Sequence, residues 1–303
     1  MARVTAAALA MALIAQQPFA ANAEELTPRS YSAAPVNANL LVFGYSTSWG
    51  AVLTDPSLPV SNVNASIDRT VLGYVHTFAL AKRTANVQFL LPYNAANFSG
   101  DVGGAATTAQ RWGYGDLVTR IGWNLIGDPA LSPAQFARRT PKTTVGASLT
   151  VVAPTGAYNP ARLINVGTNR WSFLPEAGFE TPIRKWFVDG SAGAWFFTDN
   201  GNFFGGHVRS QNPVLNLQAL GGYEFRPGFW ISAGGVYYSG GETSIDGVPK
   251  HDALINGRYG LDLNVPVNKS FSTRVSWTNW LTATAGGQFR TIALKLQYRW
   301  FDR

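Results

Sequence analysis

The chain has 303 residues, 24 Lys and Arg against 17 Asp and Glu, a formal charge of +7 and no cysteine, which excludes a disulfide framework, a cysteine-held zinc and a thiol nucleophile. The basic residues are scattered, so no nucleic-acid groove is marked, and the surplus suits anionic lipid headgroups or a mildly cationic lumen. Aromatics reach 13% while charged residues stop at 14%, a balance that fits a membrane barrel in which apolar and polar residues alternate and cancel in any average.

The first predicted element is a leader. Arg3 supplies a positive start, residues 4–15 are apolar apart from Thr5, and Ala21-Asn22-Ala23 matches the small-x-small cleavage rule. The apolar run is too short for a membrane-spanning helix of roughly 20 residues, and no later run approaches that length. Residues 1–23 therefore read as a signal peptide, and the charge falls to +6 without Arg3. An exported chain of this size without disulfides needs one large, continuous hydrogen-bonded structure. Residues 36–303 read as a transmembrane β-barrel, and residues 24–35 as an N-terminal periplasmic segment that helps to plug it.

Twelve strands are predicted, at 37–49, 66–80, 85–93, 114–125, 143–154, 171–182, 186–197, 213–225, 229–239, 253–265, 270–281 and 290–301. The warrant is a period of two with the charges confined to one parity. In 116–125, Leu117, Ile121, Trp123 and Leu125 oppose Asp116, Arg120 and Asn124. In 171–181, Trp171, Phe173, Ala177 and Phe179 oppose Glu176 and Glu180. In 254–265, Ile255, Tyr259, Leu261, Leu263 and Val265 oppose Asn256, Arg258, Asp262 and Asn264. In 291–301, Ile292, Leu294, Leu296, Tyr298 and Trp300 oppose Lys295, Gln297 and Arg299. A helix would wrap these patterns around its whole circumference and leave no apolar stripe. Residues 66–80 admit either register.

An even strand count puts both termini on the periplasmic side. Connectors after even strands are mostly short (80–84, 183–185, 226–228, 266–269), and those after odd strands are mostly long and rich in Gly, Asn, Ser and Pro. The exception is 126–142, where Ser132-Pro133-Ala134-Gln135 predicts a short capped periplasmic helix. Tyr93, Trp186, Trp230, Trp277, Trp280 and Trp300 are candidates for aromatic girdles at the headgroup levels. The architecture is thus all-β: an antiparallel up-and-down barrel of about twelve strands, with long extracellular loops and short periplasmic turns.

The polar parity supplies eleven lumen-lining charges: Asp116, Arg120, Glu176, Glu180, Asp189, Glu224, Arg258, Asp262, Arg274, Lys295 and Arg299. Six acids against five bases imply pairing across a narrow bore. Glu176 and Glu180, about 13 Å apart along one strand face, are expected to act as two latches on Arg120, Arg258, Arg274, Lys295 and Arg299. Twelve strands lie between the filled eight-stranded barrels and the open sixteen-stranded ones.

Two loops carry specific motifs. Gly113-Tyr114-Gly115-Asp116 opens the fourth strand. Pro154-Thr155-Gly156-Ala157-Tyr158 closes the fifth, followed by Asn165-Val166-Gly167-Thr168-Asn169-Arg170-Trp171 and Pro175-Glu176. With Asp199-Asn200 and Tyr237-Tyr238-Ser239-Gly240-Gly241 they resemble the outer-membrane transporter family labelled "MetA-pathway of phenol degradation", from about Leu72 to the C-terminus. The resemblance implies an outer-membrane barrel and, loosely, uptake of aromatic compounds. It departs from the family pattern at Ala157 and Asn159. Tyr114, Tyr158, Asn165, Asn169, Arg170 and Trp171 are the loop candidates. Either they fold the loops over the barrel or they grip a ligand.

The expected function is passage of small molecules, with aromatic or hydrophobic compounds in view, through a narrow polar lumen. A structural or adhesive barrel is the alternative. A surface hydrolase is the remaining one: His251-Asp252 with Asp246 imitates a His/Asp pair, but no serine sits in a G-x-S-x-G context, and Gly221-Gly222 and Gly234-Gly235 lack phosphate-loop spacing. No enzyme activity, cofactor or metal is expected. The expected location is the Gram-negative outer membrane. The expected partners are its lipid, the barrel-assembly machinery and an unidentified small molecule, with no nucleic acid.

Overall fold

The computed structural model describes residues 26–53, 60–162 and 164–302. The leader at 1–23 lies outside the described residues. Strands β1 (Ala38–Leu53), β2 (Val60–Leu80) and β3 (Arg83–Val102) are followed by β4 (Ala105–Tyr114) and β5 (Leu117–Ile126). The latter two form one stave interrupted at Gly115-Asp116, since β3 pairs with both. A short helix, α1 (Pro133–Ala137), precedes β6 (Thr144–Ala153), β7 (Ser172–Ile183) and β8 (Trp186–Phe197). Then come β9 (Asn200–Phe203), β10 (His207–Gln211), β11 (Val214–Arg226), β12 (Phe229–Gly240), β13 (Thr243–Ile245), β14 (Val248–Pro249), β15 (Leu254–Pro266), β16 (Phe271–Thr282) and β17 (Gly286–Phe301). Counting β4–β5 once, twelve antiparallel staves close a barrel. The seam is β1 against β17, paired from Ala38↔Phe301 to Leu53↔Gly286.

The burial pattern is inverted relative to a water-soluble sheet. Along β11 the buried positions include Asn216 and Gln218, while Leu215 and Leu217 are exposed. The same inversion exposes Leu41, Phe43, Leu72, Ile121, Phe179, Leu261, Ile292 and Leu294. An apolar surface this large would aggregate in water, and hydrocarbon is the solvent that suits it. Alternation settles the ambiguous second strand: Ala65, Ile67 and Thr77 are buried, and Leu72 and Leu80 are exposed.

The aromatics gather near the two rims. Tyr93 meets Tyr114 edge-on at 5.3 Å and Trp171 stacks on Phe173 at 6.4 Å near the loop end. At the turn end Trp186 meets Tyr223 at 5.0 Å and Trp300 lies 6.3 Å from Tyr74. Trp230 corrects the expectation. It shares the inward parity of Ser232 and Val236, is 4% exposed, and packs edge-on against Phe187 inside the barrel.

Helix α1 carries the expected cap: Ser132 accepts from the Gln135 backbone, and the Gln135 side chain accepts from the Ser132 backbone. Two features were not expected. Residues 94–113 continue β3 and β4 as a long hairpin, paired to Val102↔Ala105. Its Asn-, Ala-, Gly- and Thr-rich sequence lacks apolar contrast because this part rises beyond the apolar belt. Two of the long loops also join in a small sheet of order β14-β13-β10-β9.

Facing follows from parity, so two positions three residues apart on β17 should respond oppositely to one charge. Leu294→Arg places it against lipid, where it costs roughly 2–4 kcal/mol near the midplane. Gln297→Arg places it inside and is expected to assemble as the parent does. Heat-modifiable mobility on gels checks both, and equal assembly would refute the facing.

Candidate functional site

The barrel interior is occupied by the chain's own beginning. Residues 26–35 run inside the wall before β1 starts. Leu26 is 4% exposed and packs with Leu220 in an apolar cluster, and the Thr27 backbone N–H donates to Gln218 Oε1 at 3.0 Å. Arg29 is the anchor. Its Nε lies 3.2 Å from Glu180 Oε2 and its Nη1 3.1 Å from Glu224 Oε2, while its backbone N–H donates to Asp189 Oδ2 at 3.0 Å. Its guanidinium also sits 4.8 Å over the Phe187 ring. Ser32 Oγ donates to Glu180 as well.

Tyr31 is the second anchor. Its hydroxyl lies 2.8 Å from Glu176 Oε1 and 2.9 Å from Ser148 Oγ, and the Arg120 guanidinium covers its ring at 5.2 Å. The ring is seated on Gly178, where a Cβ would come within 2.3 Å of it. Only glycine leaves room for that ring against the wall.

These contacts correct the expected pairing of the latches. The ion pair of Glu180 is with Arg29, and Glu176 bonds to Tyr31 and to Asn216 Nδ2 at 3.1 Å. In place of the five wall cations expected as partners, the N-terminal segment supplies Arg29 to Glu180 and Tyr31 to Glu176, and its length lets it reach acids on several staves at once. The wall cations lie elsewhere. Arg258, 6% exposed, donates from Nη2 to Thr278 Oγ1, Phe289 O and Thr291 Oγ1. Arg274 lies 4.8 Å over the Trp230 ring. Asp262 is 2% exposed and accepts from Ser276 Oγ at 2.5 Å. Lys295 faces the interior beside Gln297. Arg299 has the inward parity but sits exposed at the turn-end rim, donating to Lys269 O at 2.9 Å.

The loop between β6 and β7 closes the opposite mouth. Asp116, at the break between β4 and β5, accepts from the Gly156 backbone at 2.8 Å, the Thr168 backbone at 2.9 Å and Thr168 Oγ1 at 2.6 Å. Gly156 fits because a Cβ there would meet the Asp116 backbone N at 2.8 Å. Asn200 gathers the tip: Asn169 Nδ2 donates to its Oδ1 at 2.8 Å, and its Nδ2 donates to the Tyr158 hydroxyl at 2.9 Å. Asn169 takes a φ of 53°, a conformation Asn tolerates. Asn165 braces the turn, accepting from the Asn159 backbone at 2.8 Å and donating to Arg162 O at 2.9 Å.

Arg170 is 2% exposed, donates to Gln211 Oε1 at 2.5 Å and lies 4.2 Å over Phe197. Burial is the main cause holding its guanidinium well below its ordinary value. Tyr114 and Trp171 stay on the outer surface, 59% and 45% exposed. The loop thus delivers Ile164 into the barrel mouth, 5% exposed against Val52, Ala65, Ile67, Ala96, Phe98 and Phe289.

Between segment and loop remains a cavity of about 260 Å³. Thr27, Pro28 and Ser30 of the N-terminal segment contribute to its lining, and Arg69, Arg120, Arg274, Lys295, Glu176, Trp195 and Tyr238 stand on its walls. Arg29, Tyr31, Ile164, Arg69 and Trp195 were absent from the sequence-based candidates. The first three belong to segments without periodicity, and Arg69 lay in the stave of ambiguous register.

The residues of the hydrolase alternative face separate partners. Asp246 meets His207 Nδ1 at 2.5 Å, Asp252 accepts from Thr243, and His251 Nδ1 lies 3.1 Å from Glu242.

A family model described as "Putative MetA-pathway of phenol degradation" matches residues 50–298. The chain belongs to this family. Among solved structures, the COG4313 outer membrane channel from Pseudomonas putida F1 is similar at 25% identity and a TM-score of 0.79, covering 91% of this chain and all of that one. The β domain of the Bordetella autotransporter BrkA shares the fold, at 9% identity and a TM-score of 0.52, over 88% of this chain and 100% of its own. No curated protein sequence matches the chain. Family and fold together make this an outer-membrane β-barrel channel.

The Asp116 clasp carries a measurable load. Hydrogen bonds to a charged group contribute about 1.5–3 kcal/mol each, so Asp116→Ala is expected to free the β6–β7 loop while leaving the barrel closed. Trypsin cleavage after the exposed Arg162 should then rise about tenfold or more. Unchanged cleavage in a heat-modifiable, folded variant would show that the clasp does not hold the loop.

Proposed function

We propose that the barrel passes small, largely apolar molecules inward across the outer membrane, through an interior that its N-terminal segment narrows. Passage of small molecules through a barrel is the family-level function. The single observation that carries the finer reading is the mixed lining of the interior. Val118, Leu174, Trp195, Val236 and Tyr238 form an apolar wall in a cavity too small for bulk diffusion. A bore meant for water and ions has no need of a buried Trp195 beside Leu174 and Val236. The loops form the extracellular end, and the turns, α1 and both ends of the barrel chain face the periplasm. The inward charges serve as lining and as latches, Glu180 and Glu224 through Arg29 and Glu176 through Tyr31. Tyr298 and Trp300, 49% and 37% exposed on the last stave, are what the barrel-assembly machinery would meet.

Single-channel recording tests the latch role. Breaking one partner of a restricted ion pair costs roughly 3–5 kcal/mol, because the abandoned charge stays in place. Glu176→Gln with Glu180→Gln removes the carboxylates that hold Tyr31 and one side of Arg29, leaving Arg29 its contacts with Glu224 and Asp189, and takes two negative charges from the interior. Conductance is expected to rise several-fold, with a shift toward anions and the barrel still folded. Unchanged conductance and reversal potential in that variant would remove the glutamates from the pathway and leave the β6–β7 loop as the constriction.

A further inference from the structure

We infer that the turn end of the barrel is a docking ring for the headgroups of anionic phospholipids, in the leaflet on the periplasmic side. The leaflet rests on the orientation proposed above, and the ring itself follows from topology. Twelve antiparallel staves meet at this end in six joints, five turns and the seam of β17 with β1. Every joint carries an exposed cation. These are Lys82 at β2–β3, Lys142 at β5–β6, Lys185 at β7–β8, Arg226 at β11–β12, Lys269 at β15–β16 and Arg299 at the seam. Arg138 and Arg184, both exposed, add two more.

The acids at the same end, among the described residues, are Asp128, Glu224 and Asp302, and each is engaged. Asp128 pairs with Arg139 at 2.9 Å, Glu224 pairs with Arg29 at 3.1 Å, and Asp302 accepts from Asn39 Nδ2 at 2.7 Å. Among the described residues no ion pair joins a ring cation to an acid. A rim that needed only solvation would carry charges of either sign, as the β12–β15 connection at the other end does with Glu242, Asp246 and Asp252 beside Lys250. One sign at every joint matches a surface of the opposite sign.

Placement favours lipid over a soluble acidic partner. The apolar belt runs down to the joints, where Leu80, Ile126, Ile183, Phe225 and Val267 are exposed. Lys82, Lys185, Arg226 and Lys269 each follow one of these by one or two positions. The cations therefore stand at the edge of the hydrocarbon, the depth of headgroup phosphates, where the exposed Trp186 and Trp300 also lie. The Arg226 guanidinium lies 5.9 Å over Phe229 and that of Arg299 5.5 Å over Phe301. Long basic side chains in this position lay their stems on apolar surface and hold their heads at the phosphates. A soluble partner would engage one gathered patch, whereas these cations are spread around the whole circumference.

The test is quenching of tryptophan fluorescence in the full barrel, reconstituted in phosphatidylcholine vesicles, by brominated phosphatidylglycerol and brominated phosphatidylcholine. Phosphatidylglycerol is expected to associate about threefold or more in preference at low salt, and the preference should fall toward parity in molar salt. Lys185→Gln with Arg226→Gln and Lys269→Gln should bring it close to parity. Arg162→Gln with Lys250→Gln and Arg290→Gln removes the same charge at the loop end and should leave it unchanged, each variant first shown to be folded by heat-modifiable mobility. Equal association of both lipids with the parent would overturn the ring, needs no variant, and would leave the cations to a soluble acidic partner. Equal loss in the two triple variants would overturn its location. Because the chain has no cysteine, an impermeant maleimide on intact cells tests the leaflet separately. Labelling at Arg162→Cys and none at Lys185→Cys is expected, and the reverse would overturn the leaflet while the headgroup preference stands. None of these readouts needs a solute to cross, so a failure of the passage reading is seen apart from a failure of the ring.

Discussion

In hydrocarbon a backbone N–H or C=O has no solvent partner, and the pairing of β1 with β17 is how this chain meets that constraint. Sixteen residues on each stave, Ala38 to Leu53 and Gly286 to Phe301, give up their edges to one another. Once the ring is closed, its number of staves fixes its width, and every second residue must point inward. The outer parity is then committed to lipid by residues such as Leu294 and Phe179. What remains variable is how the interior is filled, and that is where this chain differs from a plain pore.

It fills the interior from both ends with its own backbone. At the turn end, Arg29 and Tyr31 exploit a wall made acidic by Glu176, Glu180, Asp189 and Glu224 and made shallow by Gly178. At the loop end, Asp116 ties down Gly156 and Thr168, and Ile164 closes an apolar cluster. The two fillings use different physics. The lower one is electrostatic and depends on charge pairs. The upper one is a hydrogen-bonded loop that carries a hydrophobic stopper, so ionic strength and apolar solutes should act on them separately.

The barrel itself was legible because lipid imposes a strict period of two, and Asp116, Arg120, Glu176, Glu180, Arg258 and Lys295 all respect it. The same rule misplaced Trp230, since an aromatic near a strand end reads alike whether it meets a headgroup or fills a bore. Residues 94–113 escaped because a hairpin beyond the bilayer has water on both faces and no parity to detect. Arg29 was beyond reach for a different reason: its partners lie 151 and 195 residues away. Local sequence carries no trace of such a contact.

The cluster of Glu180, Asp189 and Glu224 has a consequence for how the barrel is born. Glu180 and Asp189 are direct neighbours across β7 and β8, and Arg29 touches all three carboxylates. A newly closed ring still lacking its N-terminal segment would hold these like charges facing one another over an open bore. That mutual repulsion is relieved when the first stretch of the same chain swings inside and supplies a cation. Seating Arg29 among the three carboxylates thus offsets a repulsion that the wall would hold without it, and the same contact narrows the bore.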